Sequence, residues 1–132
     1  MIPIVCIDDS GGILFNHRRV SNDAVLVEWI KKYTKESSLW IRPFSEDLFH
    51  VPKDRISEDC LLLAEDNDFC FIEDIRIQSY CNKFSKIIVC KWNRNYPSDF
   101  KFEIIGSWNK HIIDEIKGKS HEKITIEEWE RL

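Results

Sequence analysis

The chain has 132 residues, of which 43% are hydrophobic and 32% are charged, and its net charge is −4. This length suits one domain with its own core, and the composition excludes a disordered chain. The acidic balance argues against a general nucleic-acid-binding protein, and no apolar run reaches the roughly 18 residues that a membrane-spanning helix needs. We therefore expect a single domain over residues 1–132 that binds neither nucleic acid nor a membrane.

The N-terminus and the cysteines favour a cytoplasmic protein. Residues 2–7 form an apolar run without a preceding basic segment, which predicts a first strand and not a signal peptide. The cysteines are odd in number and none is spaced as a C-x-x-C pair, so we expect free thiols and no metal site. These residues are Cys6, Cys60, Cys70, Cys81 and Cys90.

The first part of the chain alternates between strand and helix patterns. The β-branched run at 2–7 predicts a buried central strand. In "FNHRRVSND" (15–23), Ser21 is predicted to cap a helix over residues 22–34, with Asp23 in its first turn. Further along, strands are predicted at 38–42, 69–73 and 86–92, and helices or helical turns at 43–49, 57–63 and 75–84.

After residue 92 the pattern becomes rich in strands. "FKFEI" alternates, and "SWNKHIIDEI" predicts a long strand. Residues 123–132 are ambiguous, because Ile124 and Ile126 alternate as in a strand, whereas Thr125 and Glu128 have the spacing of a capping box. The whole pattern predicts an α/β fold, with a mostly parallel central sheet flanked by helices and an antiparallel C-terminal edge.

This order of elements resembles dihydrofolate reductase. The likeness is clearest in "KIIVCKWNRNYPSDFKFEIIGSWNKHIID" (86–114), where "SDFKF" stands in the place of the "GDT-x-F" segment, and in "SHEKITIEEW" as the last antiparallel strand. The resemblance implies a single, shortened dihydrofolate reductase-like domain. It also implies that Asp23 is the carboxylate on the first helix that holds a pterin ring and relays a proton.

The same resemblance implies a nicotinamide cofactor, but the residues that would bind it have changed. A run of glycines is expected after the strand "FCFIE", and Glu73 and Asp74 stand there instead. Two carboxylates repel a pyrophosphate, and they remove the close approach that only glycine allows. The second phosphate segment, "WIRPFSED", keeps Arg42 but has no glycine. NADPH binding is therefore disfavoured, and no cofactor is expected.

Shorter segments, "DDSGGILFN-x-RR-x-S-x-D", "WNRNYPSD" and "SHEKIT", are similar to a small uncharacterised bacterial family. Its members sometimes carry a ribonuclease Z label. That activity is not expected here, because it requires a cluster of the form H-x-H-x-D-H to hold two zinc ions. The histidines of this chain are scattered along the sequence at positions 17, 50, 111 and 121.

Three functions remain open at this point. The first is a non-catalytic domain that binds a small anionic or heterocyclic ligand. The second is an NAD(P)H-dependent reductase of pterin or dihydrofolate type, with Asp23 as its catalytic carboxylate. The third is a protein–protein adaptor, because five tryptophans are many for this length and tryptophan is enriched at interfaces. Ser120 and His121 are adjacent in sequence, so we do not expect them to form a nucleophile–base pair.

A ligand site is predicted around "FNHRRVSND". The N–H groups at the start of a helix capped by Ser21 attract anions, and a bent loop can bring Arg18 or Arg19 over the same place. Arg42 completes the set of candidate ligand-binding residues. Alternatively, Asp23 pairs with one of the arginines, and the segment is then a solvated bend.

Overall fold

The computed structural model describes all residues from 1 to 132. The strands are β1 Ile2–Ile7, β2 Gly12–Phe15, β3 Arg18–Arg19, β4 Leu39–Ile41, β5 Phe69–Phe71, β6 Lys86–Lys91, β7 Phe100–Lys101, β8 Trp108–Ile116 and β9 Ile124–Arg131. The helices are α1 Ala24–Tyr33 and α2 Cys60–Leu63, and short 3-10 helices lie at Pro43–Ser45, Lys53–Arg55 and Gln78–Lys83.

A mixed six-stranded sheet of order β4-β5-β1-β6-β9-β8 forms the centre of an α/β fold. The pairings among β4, β5, β1 and β6 are parallel. The pairings of β9 with β6 and of β8 with β9 are antiparallel. A second sheet of order β3-β2-β7 pairs β7 with the β2–β3 hairpin, whose turn is formed by Asn16 and His17. The run at 2–7 is a central strand, as predicted, since β1 lies between β5 and β6.

The two faces of the large sheet are covered differently. Successive residues of β1 point to opposite faces. On one face Ile4 packs in a cluster with Leu26 and Ile30 of α1. On the other face Val5 belongs to a cluster that contains Leu61 of α2 and residues of the small sheet. One ten-residue helix, one short helix and the small sheet therefore take the place of the expected flanking helices.

The first helix begins later than expected, and its N-cap is Asp23, not Ser21. The backbone of Asp23 is extended, with φ −152° and ψ 123°, and its side chain accepts a hydrogen bond from Val25 N–H. Ser21 Oγ is occupied elsewhere, by Tyr96 and His121. The prediction that Asp23 lies in the first turn was wrong because its carboxylate, and not the Ser21 hydroxyl, accepts the first free N–H.

The other predicted helices are short. Residues 43–49 contain only the 3-10 helix Pro43–Ser45, and 57–63 contain the four-residue α2. Within 75–84 the structure has the 3-10 helix Gln78–Lys83, whose first turn is closed by a hydrogen bond from Tyr80 N–H to the Ile77 carbonyl oxygen. The apolar spacing of three residues fits a 3-10 helix as well as an α-helix, so the sequence pattern did not separate the two.

The ambiguous C-terminal segment is a strand. β9 lies between β6 and β8, and Ile124 and Ile126 are fully buried. Trp40, Trp92 and Trp129 are also buried, so most of the tryptophans serve the core. None of the helices combines the length and the apolar character that a membrane crossing requires.

The packing of α1 can be tested with two neighbouring residues of this helix. Leu26 is 2% exposed and Val25 is 38% exposed. We expect Leu26→Ala to lower the free energy of unfolding by about 3 kcal/mol, because it leaves a cavity against the sheet. Val25→Ala, the matched control, should change it by less than about 0.5 kcal/mol. Urea unfolding measures both, and equal effects would contradict this packing.

Candidate functional site

Several polar side chains lie together at the carboxyl ends of the parallel strands. Asp8 follows β1, Arg42 follows β4, Glu73 lies just beyond β5, and Trp92 follows β6. In open α/β sheets, ligands bind outside the carboxyl ends of the strands. This edge is therefore the place to look for a functional site.

Asp23 lies buried at this edge and accepts hydrogen bonds from two distant segments. Its Oδ1 accepts from the N–H groups of Val25 and Lys119, each at 2.9 Å. Its Oδ2 accepts from Ser120 N–H at 2.9 Å, from Ser120 Oγ at 3.2 Å and from His121 Nδ1 at 2.9 Å. Burial alone would raise the pKa of the Asp23 carboxyl, but these bonds outweigh it and hold the pKa well below its ordinary value.

His121 extends this network toward two hydroxyl groups. Because Asp23 is ionised and can only accept, His121 Nδ1 carries the proton that they share, and in the neutral imidazole Nε2 is then the acceptor. Nε2 lies 2.9 Å from Ser21 Oγ and 3.0 Å from Tyr96 OH, and the two hydroxyls are 3.2 Å apart. The imidazole is buried and stacks on Trp92, with ring centroids 4.7 Å apart and planes inclined by 26°.

Tyr96 is positioned by the buried carboxylate of Asp8. Tyr96 N–H donates to Asp8 Oδ2 at 2.9 Å, while Asp8 Oδ1 accepts from Gly12 N–H at 2.6 Å and from both Ser10 N–H and Ser10 Oγ at 2.9 Å. Burial opposes ionisation of Asp8, but the four hydrogen bonds lower the pKa of its carboxyl below the ordinary value. The loop that carries Tyr96 is therefore fixed to the end of β1.

Arg19 forms a second buried network beside the first. Its Nε and Nη2 donate to the two carboxylate oxygens of Glu73, each at 2.8 Å, and Ser45 Oγ donates to the same carboxylate at 2.7 Å. The guanidinium also lies over the Phe44 ring, 5.4 Å from its centroid. The hydrogen bonds that Arg19 donates to Glu73, followed by those that it donates to Asp47, raise its pKa above the ordinary value.

The outer edge of the same guanidinium holds a second carboxylate, that of Asp47. Arg19 Nη1 and Nη2 donate to it at 2.7 and 3.0 Å. The Asp47 side chain is 61% exposed, whereas that of Glu73 is 5% exposed. Arg19 thus has a buried, fixed carboxylate on its inner side and a solvated one on its outer side.

The remaining predicted residues lie apart from these networks. Arg42 donates to Asp74 Oδ1 at 2.9 Å and to the carbonyl oxygen of Glu58. Arg18 is exposed and takes part in no salt bridge. The two carboxylates predicted to repel a phosphate, Glu73 and Asp74, are therefore each paired with an arginine.

Arg19 borders two cavities, one on its inner side and one on its outer side. The inner cavity has a volume of about 20 Å³, which is room for about one water molecule. Among the residues that line it are Cys6, Arg19, Ser21, Asp23 and Glu73. The outer groove has a volume of about 680 Å³, opens to solvent and is lined by His17, Arg18, Arg19, Pro43, Phe44, Glu46 and Asp47.

The structure brings together some of the predicted residues and adds others. Arg19, Ser21 and Asp23 line one cavity, and Arg18 joins Arg19 in the outer groove, but Arg42 does not line either of them. Sequence reasoning missed His121 and Tyr96. The only signal for them was topological, since the turns after β6 and before β9 lie at the same edge. No group of three or more histidine, cysteine, aspartate or glutamate residues is placed to hold a metal ion.

The chain was compared with protein-family models and with curated proteins. No protein-family model matches the chain, and no curated protein matches it.

The role of Asp23 can be tested through the pH dependence of stability. Its pKa is lower in the folded state than the roughly 3.9 of an unfolded chain, so its contribution is present above about pH 5 and is lost as the pH falls further. We expect Asp23→Asn to lower the free energy of unfolding at pH 7 by about 3 kcal/mol and to flatten the acid limb of its pH profile.

Glu28→Gln is the matched control for this experiment, because Glu28 lies on α1 and its side chain is 72% exposed. Chemical denaturation between pH 3 and pH 7 measures both variants. An acid limb in Asp23→Asn as steep as that of the wild type would contradict the role given to this carboxylate.

Proposed function

We propose that the protein is a domain that binds a small anionic or heterocyclic ligand at the outer edge of Arg19, without nicotinamide-dependent reduction. The observation that carries this proposal is the bidentate bond between Arg19 and the exposed carboxylate of Asp47. A carboxylate of the chain itself occupies the position that a carboxylate or phosphate of a ligand would take.

Arg19 is ordered before any ligand arrives. Glu73 and Ser45 hold it from the buried side, and the Phe44 ring supports its face. A ligand therefore meets a guanidinium whose rotamer is already fixed, and little side-chain entropy is lost on binding. This preorganisation favours planar groups with two acceptor oxygens.

Asp47 is weakly held in comparison. Its side chain is 61% exposed, and exposed ion pairs contribute only about 0–1 kcal/mol. A ligand carboxylate can replace it with the same geometry and at small cost. Asp47 then acts as a competitor that sets the affinity of the site.

The groove around Arg19 supplies further contacts to a small molecule. Arg18 adds an exposed positive charge without a carboxylate partner, and Pro43 and Phe44 add an apolar wall. The volume of about 680 Å³ lies in the range typical of small-molecule sites. An anionic group on an aromatic or heterocyclic ring would use both the charges and this wall.

This site can be tested by changing the competing carboxylate. We expect Asp47→Asn to bind inorganic phosphate and p-aminobenzoylglutamate about two- to fivefold more tightly than the wild type, because an exposed pair of up to about 1 kcal/mol is removed. Thermal shift against chloride at matched ionic strength, followed by calorimetry, measures the change.

Two further variants complete this experiment. Asp54→Asn, the control, removes an exposed carboxylate beside another arginine and should leave anion binding unchanged. Arg19→Lys keeps the positive charge next to Glu73 but loses the fork, so it should abolish the response. If neither the wild type nor Asp47→Asn responds to either anion, the outer edge of Arg19 is not a ligand site.

A reductase of pterin type is the second candidate, favoured by the position of Asp23. This carboxylate is buried at the start of the first long helix, at the carboxyl edge of the sheet, as the resemblance implies. However, its oxygens are occupied by the turn 118–121, and the cavity beside it admits about one water molecule. A pterin would have to displace that turn.

We expect NADPH not to bind saturably at micromolar concentrations. Arg19 and Arg42 reduce the repulsion from Glu73 and Asp74, but these side chains still fill the space in which a backbone would approach phosphate. Titration followed by NADPH fluorescence measures this. Saturable micromolar binding would count against the first proposal and favour the reductase.

A further inference from the structure

We propose that Ser21 is a nucleophile that accepts small acyl groups from esters, with His121 as its general base and Asp23 as the residue that positions the imidazole. The three side chains stand in the order hydroxyl, imidazole, carboxylate, joined by contacts of 2.9 Å and 2.9 Å. This is the arrangement by which a neutral hydroxyl is activated for attack. The proposal is independent of the anion site on Arg19.

The imidazole is held in the tautomer and orientation that the reaction needs. Asp23 fixes the proton on Nδ1, and the stack on Trp92 fixes the ring plane. The side chains of His121 and Asp23 are 2% and 0% exposed, so bulk water does not compete for their bond. Ser120 Oγ lies 3.2 Å from Nδ1 and 3.2 Å from Asp23 Oδ2, which leaves Nε2 to the other hydroxyls.

Ser21 differs from its two partners in being accessible. It is partly exposed and lines the inner cavity together with Asn22 and Arg19. Because this cavity has a volume of about 20 Å³, room for about one water molecule, it does not hold an acyl group, and an ester reaches Ser21 Oγ from the solvent side. With so little enclosed space around the hydroxyl, the substrate class is small esters such as acetyl esters, with the leaving group directed toward solvent.

Tyr96 OH lies within hydrogen-bond distance of the same acceptor, His121 Nε2. Nε2 has one lone pair, and both Ser21 Oγ and Tyr96 OH lie within hydrogen-bond distance of it. When Ser21 donates to Nε2, Tyr96 can donate to Ser21 Oγ, 3.2 Å away. Tyr96 therefore competes with Ser21 for the base, and its removal should leave the base to Ser21.

The chemical step balances without a cofactor. Ser21 Oγ attacks the ester carbonyl carbon as its proton passes to His121 Nε2, and the bond from that carbon to the leaving oxygen breaks. The leaving group takes the proton back, directly or through water. Water then attacks the acyl-serine with the same base, which releases a carboxylic acid and restores the hydroxyl.

The experiment uses p-nitrophenyl acetate and the intact protein. We expect a burst of p-nitrophenol approaching one equivalent per chain, and peptide mapping after an acid quench should place the acetyl group on Ser21. Ser21→Ala removes the nucleophile and should abolish the burst. Ser37→Ala, a change at an exposed serine far from the site, should leave the rate unchanged.

The variant Tyr96→Phe tests whether Tyr96 competes with Ser21 for His121. In this variant, p-nitrophenyl acetate should acetylate Ser21 at least as fast as in the wild type. Acetylation found on lysines or on Tyr96, and not on Ser21, would overturn the proposal, and this outcome is read from the wild type even if a variant does not fold. The burst is measured without phosphate or p-aminobenzoylglutamate, so failure of the anion site and failure of this proposal are distinguishable.

Discussion

The hydrogen bonds to the buried carboxylate of Asp23 hold together the carboxyl edge of the sheet. This carboxylate joins the start of α1 to the turn before β9, and His121 lies 98 positions further along the chain. An ionised group at this depth is stable only if donors satisfy it, so the helix start, the turn 118–121 and the imidazole are fixed together. Gly118 belongs to the same packing, because a Cβ at this position would overlap the Asp23 carboxylate and lie 3.0 Å from Ile124.

The regular part of the fold could be predicted from sequence because burial imposes a period on it. β1 and β6 are largely β-branched runs buried on both faces, and α1 buries Leu26 and Ile30 on the side that faces the sheet. Where two periods fit the same residues, the prediction was incomplete. β9 was ambiguous because its pattern also fits a capped helix, and its partners β6 and β8 decide the outcome. Residues 78–83 show that a spacing of three is shared by 3-10 and α-helices.

The candidate site was predictable only where it depends on local structure. Asp23 was singled out because it lies at the start of a predicted helix, where the resemblance places a carboxylate, but Tyr96 and His121 lie in irregular segments whose contact is set by the strand order. The different roles of the adjacent residues Arg18 and Arg19 could not be predicted from sequence either. As neighbours on β3 they point to opposite sides, so one is exposed and the other reaches Glu73. The sequence does not say which is which until the orientation of the hairpin is known.

In the proposed site, the pairing of Arg19 with Glu73 determines what kind of ligand the outer edge would select. Glu73 makes the guanidinium rigid, but it also cancels most of its charge. Long-range attraction for anions is therefore small, and affinity must come from the two directed hydrogen bonds at Nη1 and Nη2. Chloride, a single sphere, must accept both bonds at one atom with bent geometry, whereas a carboxylate or a phosphate offers one oxygen to each N–H. The proposed site would therefore discriminate among anions by shape more than by charge, and the chain's own carboxylate, Asp47, meets the same requirement.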